Sequence, residues 1–184
     1  MVTIGVVGHR VLAEPDRIEA GIETALRQVE RTFGGPMTVV SSLAEGADRL
    51  VAWHVLARPD ARLVVPLPLE RDEFIADFGT ADSRREFLEL LGRASEVLTP
   101  VPAATRDGAY EAAARLVLDR CTVLIAVWDG QQAQGRGGTG ALVEVARARG
   151  RPIAWVHAGN RVPGTMEPTS LGDAQGTVTF ENFS

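Results

Sequence analysis

Two apolar patterns alternate along the chain from Val2 to Val156: short unbroken runs, and runs whose apolar residues recur every three or four positions. The unbroken runs, Val2 to Val7, Met37 to Ser41, Arg62 to Val65, Val123 to Val127 and Pro152 to Val156, read as strands of a sheet covered on both faces. Val97 to Val101 reads as a weaker fourth strand, because Pro100 removes a ladder donor. The spaced pattern is clearest at Ile18, Ile22, Ala25, Leu26, Val29 and Phe33. It defines a helix that starts at Pro15 and ends at Gly34, Gly35 and Pro36. A second helix follows the second strand, with Ser42 and Glu45 at capping-box spacing and Gly46 in its first turn. Glu70 to Phe78 and Asp82 to Ala94 form a helical crossover broken at Gly79 and Thr80, and an alanine-rich helix runs from the Arg106-Asp107-Gly108 loop to about Arg120. The last helix starts near Gly140, with Thr139 as its N-cap.

Strand and helix in alternation predict a Rossmann-like α/β fold. It is doubly wound, with a mainly parallel sheet of about six strands and helices on both faces. The strand order expected is 3-2-1-4-5-6, which puts the switch point between the first and fourth strands. Arg10, Arg106 and the segment 129–140 then face one crevice at the carboxyl edge. From Gly159 the composition shifts to Gly, Pro, Thr and Asn, with only Thr177 to Phe180 strand-like. The expectation is one domain over 1–158 and an extension over 159–184, packed on the body or on a partner subunit.

Composition narrows the classes. A chain of 184 residues, 45% hydrophobic, supports one core rather than two. All 19 basic residues are arginine and the net charge is −5, so a nucleic-acid partner is not expected. Without lysine there is no Schiff-base chemistry and no Walker-type phosphate site. With no apolar run of transmembrane length and a strand-like start, the protein is expected to be cytoplasmic, with no membrane partner. Cys121 reads as a small core residue. His9 and His157 fall near strand ends and His54 on the Leu50 and Val51 face of its helix. The three do not cluster, and no metal is expected.

The strongest chemical signal is the loop after the fifth strand. Gly135, Gly137, Gly138 and Gly140 surround Thr139 at a helix start, where free N–H groups and the helix dipole attract anions; Arg136 adds a cation. Asp129, at the strand end, either holds a ribose or activates water, or else satisfies loop amides. Glu144 lies roughly 7 Å down the helix axis from Thr139 and reads more simply as a surface partner of Arg147. Trp128 and Tyr110 can stack on a base or belong to the core.

Three motifs in order, GVVGHR, SSLAEGADRLVA and LIAVWDGQQAQGRGGTGALVEVA, resemble the SLOG superfamily over about Val2 to His157. This Rossmann-like group includes DprA, the LONELY GUY nucleotide hydrolases and nucleotide-ligand sensors. By position, the resemblance implies a first-loop phosphate site at Gly8 and Arg10, a GxD element at Gly46 and Asp48, and a phosphate cradle at Gly137, Gly138 and Thr139. His9, Ser42, Glu45, Arg106, Asp129, Gly130, Arg136 and Gly140 complete the expected ligand set. The hydrolases place a carboxylate soon after the threonine, whereas the nearest acid here is Glu144. The expected function is therefore binding of a nucleotide or nucleotide-derived molecule such as AMP or ADP-ribose, as a sensor or carrier, with no further cofactor. The alternative is a nucleoside-phosphate N-glycosidic hydrolase using Asp129 or Glu144. The resemblance and the tail also imply a homodimer or larger assembly. A dinucleotide-dependent dehydrogenase is excluded, because GVVGHR replaces the GxGxxG it needs.

Overall fold

A computed structural model describes residues 1–132 and 138–183 of the chain. The elements run β1 (Val2–Gly8), α1 (Pro15–Phe33), β2 (Met37–Val40), α2 (Ala47–Leu56), β3 (Arg62–Pro66), α3 (Arg71–Ile75), α4 (Ala81–Gly92), β4 (Glu96–Leu98), α5 (Arg106–Arg120), β5 (Val123–Trp128), α6 (Thr139–Ala148), β6 (Ile153–His157) and β7 (Val178–Glu181). The strands make one sheet in the order β4-β3-β2-β1-β5-β6-β7, parallel except for β7, which runs antiparallel to β6. This is a Rossmann-like α/β fold.

Side-chain alternation along the strands divides the core. Ile4, Val6, Val39, Leu63, Ile125 and Val156 pack with α1, α2 and the three phenylalanines Phe74, Phe78 and Phe87 of the α3–α4 region. Val7, Leu124, Ala126, Trp128 and Ile153 point the other way, toward Leu118 of α5 and Leu142, Val143 and Ala146 of α6. On that second face Gly5 leaves room for Cys121 and Val117, which seats the end of α5 directly on β1. Cys121 is buried there as a small core residue.

The strand order differs from the one expected. β4 stays beside β3, with Val64 opposite Glu96, and β1 pairs with β5. The switch point therefore lies between β1 and β5. β4 is only three residues long and leads into Pro100 and Pro102, so it can serve only as an edge. Returning from that edge to β5 crosses four strand spacings, roughly 19 Å. α5 carries the chain back, touching both β3 and β1.

The extension beyond residue 158 lies on the body of the same chain. β7 closes the β6 edge, and Phe183 packs against Phe33 of α1. Gln175, 2% exposed, pins the extension: its Oε1 accepts from the backbone N–H of Gly159 and Leu171, and its Nε2 donates to the Ala13 carbonyl. No helix among the described residues is long and apolar enough to cross a membrane.

Candidate functional site

The carboxyl ends of β1 and β5 open into a cleft of about 1030 Å³, at the upper end of the size range of small-molecule sites. Gly8 lies at its floor, where a side chain would strike Ala47 and the Val127 carbonyl. His9 follows, one nitrogen turned to the next strand: its Nε2 accepts the Asp129 backbone N–H at 3.1 Å. Burial holds the His9 pKa below its ordinary value, against the pull of Asp129, so the ring is neutral near pH 7. Its 3.3 Å approach to the Asp129 carboxylate is accordingly a contact with a neutral ring rather than an ion pair. Asp129 Oδ1 also accepts from the Gln131 N–H at 3.0 Å, so this carboxylate folds its own loop while it lines the cleft.

Arg10 is exposed on the cleft wall, with its guanidinium 5.8 Å from the Tyr110 ring centroid. It has no carboxylate within ion-pair distance among the described residues. What fixes its backbone is the start of α2. Gly46, the N-cap at φ 80°, packs against the carbonyls of His9 and Arg10, and the Ala47 N–H donates to His9 O at 3.1 Å. A Cβ would fit neither the left-handed angle nor the space. The protein's own first loop thus packs on the second helix start and takes its first N–H, that of Ala47. Gly46 braces the site and does not line it.

Asp48 braces the site too but, unlike Gly46, also borders the cleft. It is buried, and its Oδ2 accepts from the Ser41 hydroxyl at 2.8 Å and from the Ala44 N–H at 3.4 Å. Burial pushes its pKa up to about 6, partly offset by those hydrogen bonds and by the charges of Arg10 and Arg49. The turn it stabilises holds Leu43 in the left-handed region at φ 59°, with the Leu43 N–H bonded to Ser41 Oγ. The expected capping box does not form. Ser42 donates to the Pro66 carbonyl while its residue still borders the cleft. Glu45 accepts from the Ser83 hydroxyl and faces a separate, shallower groove beside Arg49.

At the opposite wall α6 begins with Gly138 as N-cap and Thr139 as the first helical residue, one position earlier than expected. Among the described residues no side chain caps this start, and its first turn carries no acid. Gly138, Thr139 and Gly140 all border the cleft. Arg136 and Gly137 lie outside the described residues. Gly130, at φ 77°, packs against the Trp155 ring instead of lining the cleft. Glu144 is exposed on α6 away from it, and Arg147 pairs with Glu181 in its place, at 2.9 and 2.7 Å.

Arg106 is not brought to the cleft. It bonds Glu73 at 2.6 Å and Asp77 at 2.5 Å, and this guanidinium keeps the Asp77 carboxyl below its ordinary pKa. The chain enters α5 from β4, at the sheet's far edge, and Arg106 is held there by carboxylates of the α3 region. Tyr110, one turn on, does line the cleft, with its hydroxyl donated to Asp77. Trp128 also borders it, yet is only 3% exposed and packs on Trp155, so it offers no open face for stacking. Its indole N–H has no hydrogen-bond partner among the described residues.

Sequence reasoning missed the fourth wall. Asn160, Arg161, Pro163, Gly164 and Thr169 of the extension border the cleft. The one usable signal was Arg161, a charge in an otherwise Gly- and Pro-rich stretch. His54 sits half-buried between α1 and α2 near Glu19 and Glu23, and His157 stacks on Trp155; neither borders the cleft. Among the described residues no cluster of His, Cys, Asp and Glu has the geometry of a metal site.

Fold and cleft together define a Rossmann-like α/β protein with a cleft at the carboxyl edge of its sheet. Among solved structures it is similar to DNA processing protein A (DprA) from Streptococcus pneumoniae. The TM-score is 0.57 and the identity 19%, over 95% of this chain and 53% of that one. It thus spans about half the length of DprA. The structural-genomics target TM1055 matches at a TM-score of 0.48 and 16% identity, over 83% of this chain and 72% of the other. No protein-family model and no curated protein matches the chain. At these identities the likeness is one of fold.

Proposed function

We propose that the protein binds a nucleotide, or a small molecule derived from one, in this cleft, as a ligand sensor or carrier. The observation that carries the reading is the start of α6, uncapped among the described residues, opening on the same cleft as Arg10, which has no carboxylate partner among them. Free backbone N–H groups and a guanidinium converging on one space suit a phosphate. Charge-assisted hydrogen bonds contribute about 1.5–3 kcal/mol each, and micromolar affinity needs about 8 kcal/mol, so these groups supply most of it before any base contact. The fold neighbour DprA is named for DNA processing. The acid surplus of this chain, −5 overall, argues against the same polymer and for a small anion drawn to a local positive site.

Calorimetry with AMP and ADP tests the reading. Arg10→Ala should weaken binding of whichever nucleotide binds by about tenfold or more, and Gly138→Glu, which places a carboxylate at the helix start, should abolish it. Unchanged affinity in either variant removes the site. A second reading, N-glycosidic hydrolysis of nucleoside phosphates, is favoured by one observation: Asp129, unlike Glu144, stands in the cleft beside a neutral histidine. It requires wild-type protein to release free base from a nucleoside monophosphate and Asp129→Asn to lose that activity. Chromatography showing no released base disposes of it.

A further inference from the structure

Arginines over most of this acidic surface are committed to carboxylates, as in the pairs of Arg17 with Glu14, Arg58 with Glu30, Arg106 with Glu73 and Arg149 with Asp119. Among the described residues, the two arginines that line the cleft, Arg10 and Arg161, have no carboxylate within 4.0 Å. Among the described residues, the one side-chain partner of Arg161 is the Met166 thioether at 3.2 Å, a weak acceptor for a guanidinium. In a protein with 24 acidic and 19 basic residues, two unpaired guanidinium groups on one cavity mark where a ligand's charge is expected.

The position of Arg161 is built. Its backbone bridges to Pro168, the Thr169 N–H donates to the Asn160 carbonyl at 2.7 Å, and the Val162 N–H donates to Glu167 at 2.8 Å. These close residues 160–169 into a compact loop. At its base the buried Gln175 side chain ties Gly159 and Leu171 to the Ala13 carbonyl, in the segment that leads out of the Arg10 loop. Arg10 follows β1 and Arg161 follows β6, with β5 between them, so their backbones leave the sheet two strand spacings apart, roughly 10 Å. Both side chains border the same cleft, so the pair can bracket an anionic group above the end of β5, next to the α6 start.

Resting on the nucleotide reading, we propose that Arg161 is a ligand-binding residue supplied by the C-terminal extension. Beside Arg10 it holds a second anionic group, so the cleft selects a diphosphate over a monophosphate. The α6 start and Arg10 take the first phosphate, and Arg161 takes the next. Calorimetric titration of the full chain with AMP and ADP, on wild type and Arg161→Ala, reads this directly. ADP should bind wild type about tenfold or more tightly than AMP. Arg161→Ala should bring ADP down to the AMP level while AMP stays within about twofold, and an unchanged melting temperature confirms that this exposed replacement leaves the fold intact. Equal affinities of AMP and ADP for wild type, or an equal loss of both in the variant, overturn the second-anion role and leave nucleotide binding standing. If neither nucleotide binds wild type, both proposals fall together.

Discussion

Asp48 shows how far one residue's role depends on its surroundings. Its place in a GADR stretch at a sheet edge suggests a ligand contact, yet the carboxyl is buried against Ser41 and Ala44. With a native pKa of about 6 against an ordinary 3.8, the native state holds a proton over a range in which the unfolded chain has released it. Stability should therefore fall as pH rises from about 4 to 6 and stay lowered above that, by an amount on the order of 2–3 kcal/mol. Asp48→Asn should lack this decline. Urea unfolding at pH 4 and pH 7 measures it, and parallel profiles for the two proteins would refute the burial argument. His9 is legible only as a residue beside a glycine. Its neutrality comes from burial, helped by the hydrogen bond its Nε2 accepts from the Asp129 N–H, and no spacing rule supplies either.

Among the elements, α1 is the best specified by sequence: its start at Pro15 and its end at Gly34 are where the apolar spacing places them. Gly21 inside it has no explanation from periodicity, since alanine is favoured there by about 1 kcal/mol. The extension explains it, because a Cβ at Gly21 would strike the Gly176 carbonyl and the Val156 side chain. Packing should outweigh propensity. Gly21→Ala is expected to cost about 1–3 kcal/mol net and to speed hydrogen exchange over residues 175–181. A variant more stable than wild type would show that propensity wins instead. The two helix starts at the cleft contrast in the same way. Both look open to an anion in the sequence, but the first loop folds onto the start of α2, whereas among the described residues nothing covers the start of α6 in this way.

At the scale of the whole molecule, the extension is part of the sheet. Truncation after residue 158 removes β7, Gln175 and Arg161, exposes the edge of β6 and uncovers Phe33. It should lower the unfolding free energy by several kcal/mol and promote association through the bared edge, as denaturant melts and light scattering will report. A truncated chain as stable and as dispersed as the full one would mean that the extension is an accessory. Light scattering of the intact protein also tests the proposed homodimer, and a monomer mass would end that proposal.

The sequence by itself determined the periods, and hence a parallel α/β sheet with covered faces, the boundaries of α1, the loop after β5 and the glycines at the ends of β1 and β5. These are local consequences of side-chain spacing and backbone sterics. Tertiary structure alone decided the position of β4, because a short strand can pair on either side of a switch point with no change in its own pattern. That choice took Arg106 out of the cleft, and the docking of the extension brought Arg161 in. Both are long-range placements, set by which surfaces remain to be buried once the sheet has formed.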